Sequence, residues 1–131
     1  MNSDHLRLME NSLKLGGRGL LGLYFIVPGI MKISGFSAMS AYMAAHGVPL
    51  IPAALVVTIV LQIGGGISLL IGYRAQIMAL LLAGLTVLIS LFMHDFWNYE
   101  EGLERAHETQ NFIKNMAIVA GLMYIAGTRR D

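Results

Sequence analysis

The chain has no cysteine and little charge. Without a thiol it has no disulfide, no thiolate metal site and no cysteine-ligated iron–sulfur cluster of its own. Only 13% of its 131 residues are charged, against about a quarter in an ordinary soluble domain. A soluble surface cannot be covered with so few ionic groups, so the scarcity of charge points to a membrane protein. The net charge is +1, with no basic block and no interleaving of bases with aromatics, which argues against nucleic acid as a partner. No small-x-small cleavage site follows the first apolar run, so an uncleaved anchor helix is expected there and not a signal peptide.

What is present is long apolar sequence. No Asp, Glu, Lys or Arg occurs between Lys32 and Arg74, and none between Arg74 and Asp95. A helix needs about 20 mainly apolar residues to cross the hydrocarbon core. Four stretches meet that need: 15–33, 49–72, 75–96 and 110–128. The expected fold is therefore all-α, one domain, an integral membrane four-helix transmembrane bundle, with 38–45 as a short interfacial helix.

Polar groups inside such segments carry the most information. Arg18 and Lys32 lie 14 residues apart, which is about 21 Å along a helix and less than the roughly 30 Å core. Either their stems snorkel outward or one of them faces the bundle interior. Pro28 leaves the Tyr24 carbonyl without its helical donor, so a kink is expected there. Gln62 is the one long polar side chain in the second segment, and it should hydrogen-bond a neighbouring helix. Gly64, Ser68 and Gly72 recur every fourth residue and form a candidate packing stripe. His46, beside a Gly-Val-Pro turn, reads as a solvated loop residue.

The stretch 94–115 gathers two of the four histidines, five of the eight acids and the single tryptophan. Phe96, Trp97 and Tyr99 suit a membrane–water interface. Glu108, Asn111 and Asn115 share one helical face, with Lys114 beside it. The candidate ligand-binding group is Lys32, His94, Trp97, Asn111, Lys114 and Asn115, with Arg18 and Gln62 as further interior polar residues. Amide and ammonium donors could hold carbonyl oxygens of a quinone head group, and a histidine could pass protons. The competing account is that these residues only cap helices and meet headgroups. His94 and His107 lack ligand spacing, so no metal site is assigned.

Orientation follows from the bases. Arg7, Lys14, Arg18, Arg74, Arg129 and Arg130 fall on one side of a four-helix arrangement, and Lys32, Arg105 and Lys114 on the other. Positive-inside then places both termini in the cytoplasm of a bacterial inner membrane, with the 94–115 cap facing out.

Several stretches resemble the DoxX family of membrane proteins. They are 17–25 (GRGLLGLYF), 29–36 (GIMKISGF), 47–49 (GVP), 64–74 (GGGISLLIGYR), 94–97 (HDFW) and 111–115 (NFIKN). The resemblance implies a small four-helix inner-membrane protein. It also implies kinship with the membrane subunit of thiosulfate:quinone oxidoreductase and a possible quinone ligand. Members often carry Glu where this chain has Gln62, which bears on any proton role there. Two other functions stay open. One is a non-catalytic scaffold or assembly partner for a membrane or periplasmic protein. The other is a small-solute transporter.

Overall fold

A computed structural model describes residues 2–128 and is all helical apart from its turns. Five α-helices run in order: α1 (Ser3–Ser34), α2 (Phe36–Ala45), α3 (Ile51–Ile71), α4 (Ala75–Met93) and α5 (Leu103–Gly127). A 3-10 turn at Phe96–Asn98 sits between α4 and α5. The count is five because the connector after α1 forms its own helix. Three helices are long and apolar enough to cross a membrane: α1, α3, and α4 with the turn after it. α5 has the length but not the composition, since Glu104, Arg105, Glu108 and Lys114 fall within it.

The first helix starts twelve residues earlier than its apolar run. Asn2 caps it, its side-chain oxygen accepting from the backbone N–H of His5 at 2.9 Å. No helix breaker follows until Gly16, and α1 continues through Pro28. At 32 residues it is about 48 Å long and exceeds the roughly 30 Å core. α3 and α4 are joined by three residues, Gly72-Tyr73-Arg74. Gly72 at φ +79° and Arg74 at φ +50° both take the left-handed conformation that reverses the chain.

The long helices alternate in direction. α3 packs against both α1 and α4, and α4 against α5. The α1–α3 seam is built from glycine. A Cβ on Gly22 would lie 2.5 Å from the Gly66 carbonyl oxygen, and one on Gly66 would lie 2.6 Å from the Gly22 carbonyl oxygen. The two backbones touch there, as lipid-embedded helices do when small residues permit. On the next position of α3, Gly65 faces Leu82 of α4. Of the 64-68-72 stripe, Gly64 meets no atom within 4 Å while Gly72 lies against the Arg18 guanidinium, so the helix–helix contact at this level runs through Gly65 and Gly66.

Buried apolar side chains form two clusters. Phe25, Leu69, Leu82 and Leu122 centre the larger one, among α1, α3, α4 and α5. Met43, Leu55 and Met93 centre the smaller, where α2 meets the ends of α3 and α4. The outward faces are apolar as well, with Leu20, Val60 and Leu80 largely exposed. A fold that is apolar on its outside suits lipid as its solvent.

Candidate functional site

Between the two clusters lies a cavity of about 500 Å3, lined by α1, α2, α3, α4 and α5. Its wall is mainly apolar, with Pro28, Met39, Leu55, Leu88 and Phe92 among the lining residues. A few polar groups enter it: Tyr24, Lys32, Gln62, His94, Lys114 and Asn115. That combination of size, apolar wall and sparse polar groups is typical of small-molecule sites, whose volumes run from about 300 to 1,000 Å3.

Lys32 enters from the last turn of α1. Its Nζ donates to Gln62 Oε1 at 3.1 Å. Gln62 is only 5% exposed, so its amide is held inside the protein, and the partner expected of it is this ammonium. No carboxylate lies within ion-pair distance of Lys32 among the described residues. An ammonium has three donors. One goes to Gln62, and the cavity is open to the others. Both Lys32 and Arg18 thus turn toward α3 and do not snorkel away. Arg18 Nε donates to the Leu69 carbonyl at 2.7 Å, near the C-terminus of α3. There it satisfies one of the carbonyls that a helix end leaves over.

Asn115, also 5% exposed, joins three helices. Its Nδ2 donates to Ser90 Oγ of α4 at 3.1 Å, and its Oδ1 accepts from Tyr24 OH of α1 at 3.3 Å. Ser90 in turn donates to the Thr86 carbonyl at 2.7 Å. Lys114 Nζ stands 5.9 Å from the Tyr24 ring centroid, a cation–π distance. The polar face of α5 is therefore the side that meets α4 and the cavity.

Above the cavity two histidines each meet one carboxylate. His94 Nδ1 is 3.0 Å from Glu108 Oε2, and Glu108 Oε1 accepts from Asn111 Nδ2 at 3.1 Å. His46 Nδ1 is 3.2 Å from Asp95 Oδ1, with side chains 10% and 16% exposed. That second pair is close but not aligned. Asp95 Oδ1 has no hydrogen-bond donor among the described residues, while Oδ2 accepts from Asn98 at 2.8 Å. His46 also packs on the Tyr42 ring at 4.7 Å. Burial, and after it the negative charge of Glu108, raises the Tyr42 hydroxyl above its ordinary value, so it stays protonated.

Four of the residues singled out from sequence line the cavity: Lys32, His94, Lys114 and Asn115. Gln62 joins them. Trp97 and Asn111 do not line it. Trp97 stacks edge-on with Phe96 and Phe112, centroids 5.2 and 5.8 Å away, and Asn111 steadies Glu108. Arg18 lies at the opposite end of the bundle. The sequence reading missed Tyr24 and Ser90 as site residues and took His46 for a solvated loop residue. His46 is instead enclosed beside Asp95. The available signal was the Gly47-Val48-Pro49 turn after it, where Gly47 takes φ +72°.

The DoxX family model matches residues 13–95. The chain is 34% identical over 123 residues to the inner membrane protein YqjF of Escherichia coli, an alignment covering 94% of this chain and 88% of that one. The chain belongs to the DoxX family. It is also 27% identical over 106 residues to the Escherichia coli inner membrane protein YphA, covering 81% and 75% of the two chains. No solved structure matches this DoxX protein. The family match ends at Asp95, so the Glu108 and Asn115 side of the cavity lies beyond it, within the region shared with YqjF.

Proposed function

We propose that this DoxX protein is an inner-membrane accessory or subunit of a redox system, and that its 500 Å3 cavity holds a quinone-type head group. The observation that carries the reading is the Lys32–Gln62 pair at 3.1 Å, an ammonium without a carboxylate, facing an apolar chamber. A charged group so placed is costly unless something polar meets it. A quinone fits the donor set: its carbonyl oxygens accept, Lys32 donates, and the methionine, leucine and phenylalanine walls suit its ring and the start of its tail. When bound, the quinone supplies the electron chemistry. The chain's own residues bind and orient it. Lys32 donates toward one carbonyl, Gln62 holds Lys32 in place, and Tyr24 and Asn115 fix the far wall. His94, set by Glu108, stands at the rim, where it could hand on a proton.

The location follows that of YqjF and YphA, whose names place them in the inner membrane. In this reading α5 crosses the membrane beside α4, making four crossings with both termini cytoplasmic, and the cavity opens toward the outer face. Arg129 and Arg130, two of the bases behind that orientation, lie outside the described residues.

The test is binding. Detergent-purified protein is titrated with a short-chain benzoquinone by calorimetry. Saturable binding is expected, weakened about tenfold or more in Lys32→Met, where a charge-assisted hydrogen bond is lost. Helical content should be retained. An absence of saturable binding in the unaltered protein would end the quinone reading. So would equal affinity in Lys32→Met.

A further inference from the structure

The other end of the bundle holds a second and larger cavity, about 1060 Å3, between α1, the start of α4 and the end of α5. Three cations line it: Lys14, Arg18 and Arg74. No carboxylate lines it among the described residues. Arg18 is half-buried and fixed in place. Its Nε is spent on the Leu69 carbonyl at 2.7 Å, and its guanidinium lies against Gly72, where a Cβ would fall 2.7 Å from Nη2 and 3.0 Å from Nη1. A guanidinium has five N–H donors. The four on Nη1 and Nη2 have no hydrogen-bond partner among the described residues. The glycine therefore leaves the space that the planar fork occupies. Arg74 is set at the mouth by its left-handed backbone, and its Nε donates to the Tyr73 hydroxyl at 3.2 Å. Gln76, Thr128 and the exposed Tyr124 add to the polar lining.

We infer that this cavity binds a phosphate-bearing anion through the Arg18 fork, with Arg74 supplying further positive charge. A rigid guanidinium with both Nη groups free matches the bidentate geometry of phosphate oxygens. The source is either the headgroup of an anionic phospholipid or a soluble phosphate. Arg18 lies 14 residues from Lys32 on α1, about 21 Å along the helix, the two cavities share no lining residue, and the inference does not rest on the quinone reading.

Native mass spectrometry of the detergent-purified full chain separates the sources. Phosphatidylglycerol and phosphatidylcholine are titrated in parallel, and inorganic phosphate is then added as competitor. Selective binding of phosphatidylglycerol that resists competition assigns the lipid source. Displacement by millimolar phosphate assigns the soluble one. In either arm Arg18→Gln should weaken binding about tenfold or more, as the charged fork is lost. Because Arg18 also caps α3, Arg74→Gln serves as the second variant, and it should weaken binding roughly fivefold by removing one surface charge. Lys32→Met should leave it unchanged. Equal binding of the two lipids with no phosphate binding would overturn the inference. So would full binding in both Arg18→Gln and Arg74→Gln.

Discussion

Two helix seams of this protein, α1–α3 and α4–α5, are centred on different kinds of contact. Between α1 and α3 the middle of the contact is dry: Gly22 meets Gly66 backbone to backbone, and the polar bonds, Arg18 to the Leu69 carbonyl and Lys32 to Gln62, lie to either side of it. Between α4 and α5 it is polar: Asn115 to Ser90, and His94 to Glu108 across the cap. The first seam has no room to give. The second is tied by a few directional bonds, and the cavity opens along it. Close backbone contact fixes a distance, whereas side-chain hydrogen bonds fix an orientation and leave space beside them. The polar groups at the cavity come from both seams: His94 and Asn115 from the α4–α5 seam, Lys32 and Gln62 from the α1–α3 seam beyond its glycine contact.

Substitutions at single positions would break that contrast, and Gly66→Leu should have the largest effect. Its Cβ would fall 2.6 Å from the Gly22 carbonyl oxygen and 2.6 Å from Ile26 Cγ1, so α1 and α3 must separate. The expected loss is about 3 kcal/mol or more, as for severe overpacking. It would be read as a lower midpoint of thermal unfolding in detergent by circular dichroism. An unchanged midpoint would show that the seam is not tight.

Asn115→Ala comes next. It removes the hydrogen bonds to Ser90 and Tyr24. Interhelical hydrogen bonds in membranes average about 0.6 kcal/mol, with the strongest near 1.7, so a loss of roughly 1–3 kcal/mol is expected. Chemical-denaturant unfolding of the variant beside Ser90→Ala would show whether the two changes overlap, as a shared bond requires. Strict additivity would contradict the bond.

Gly65→Ala should cost less, on the order of 1 kcal/mol, because the atoms it meets at 3.0 Å belong to the flexible end of Leu82. Gly64→Ala has the smallest expected effect and the opposite sign. Nothing lies within 4 Å of its Cβ, and alanine is the better helix former by about 0.5–1 kcal/mol. A destabilised Gly64→Ala would place a partner on that face. The three neighbouring glycines together map which face of α3 meets α1, which meets α4, and which meets neither.

That map also shows where sequence reading runs out. The apolar runs of α3 and α4 were legible, because a charge-free stretch of that length has few other uses. Their predicted ends, 49–72 and 75–96, fall within three residues of Ile51–Ile71 and Ala75–Met93. The glycine seam was legible as a kind of contact but not as a position. Adjacent helix residues point about 100° apart, so Gly64, Gly65 and Gly66 face three directions, and no local signal says which direction holds α1. Glu108, Asn111 and Asn115 were read as one face, and from it Glu108 reaches His94 and Asn115 reaches Ser90, while Asn111 bonds to Glu108. Tyr24 was hidden because a tyrosine near a proline in an apolar helix resembles ordinary filler. His46 was hidden because its partner, Asp95, lies 49 residues away.

The polar seam has a consequence for how the chain is made. Ribosomes release α1, α3 and α4 before α5, and those three carry the apolar length that enters a bilayer unaided. The final helix does not. Its asparagine finds Ser90 and Tyr24 on helices already synthesised, so its polar face is delivered to waiting acceptors and donors and not to bare lipid. The cavity has no fifth wall until that last helix arrives. A chain cut short after Met93 keeps the three apolar helices and lacks the Lys114 and Asn115 wall of the cavity.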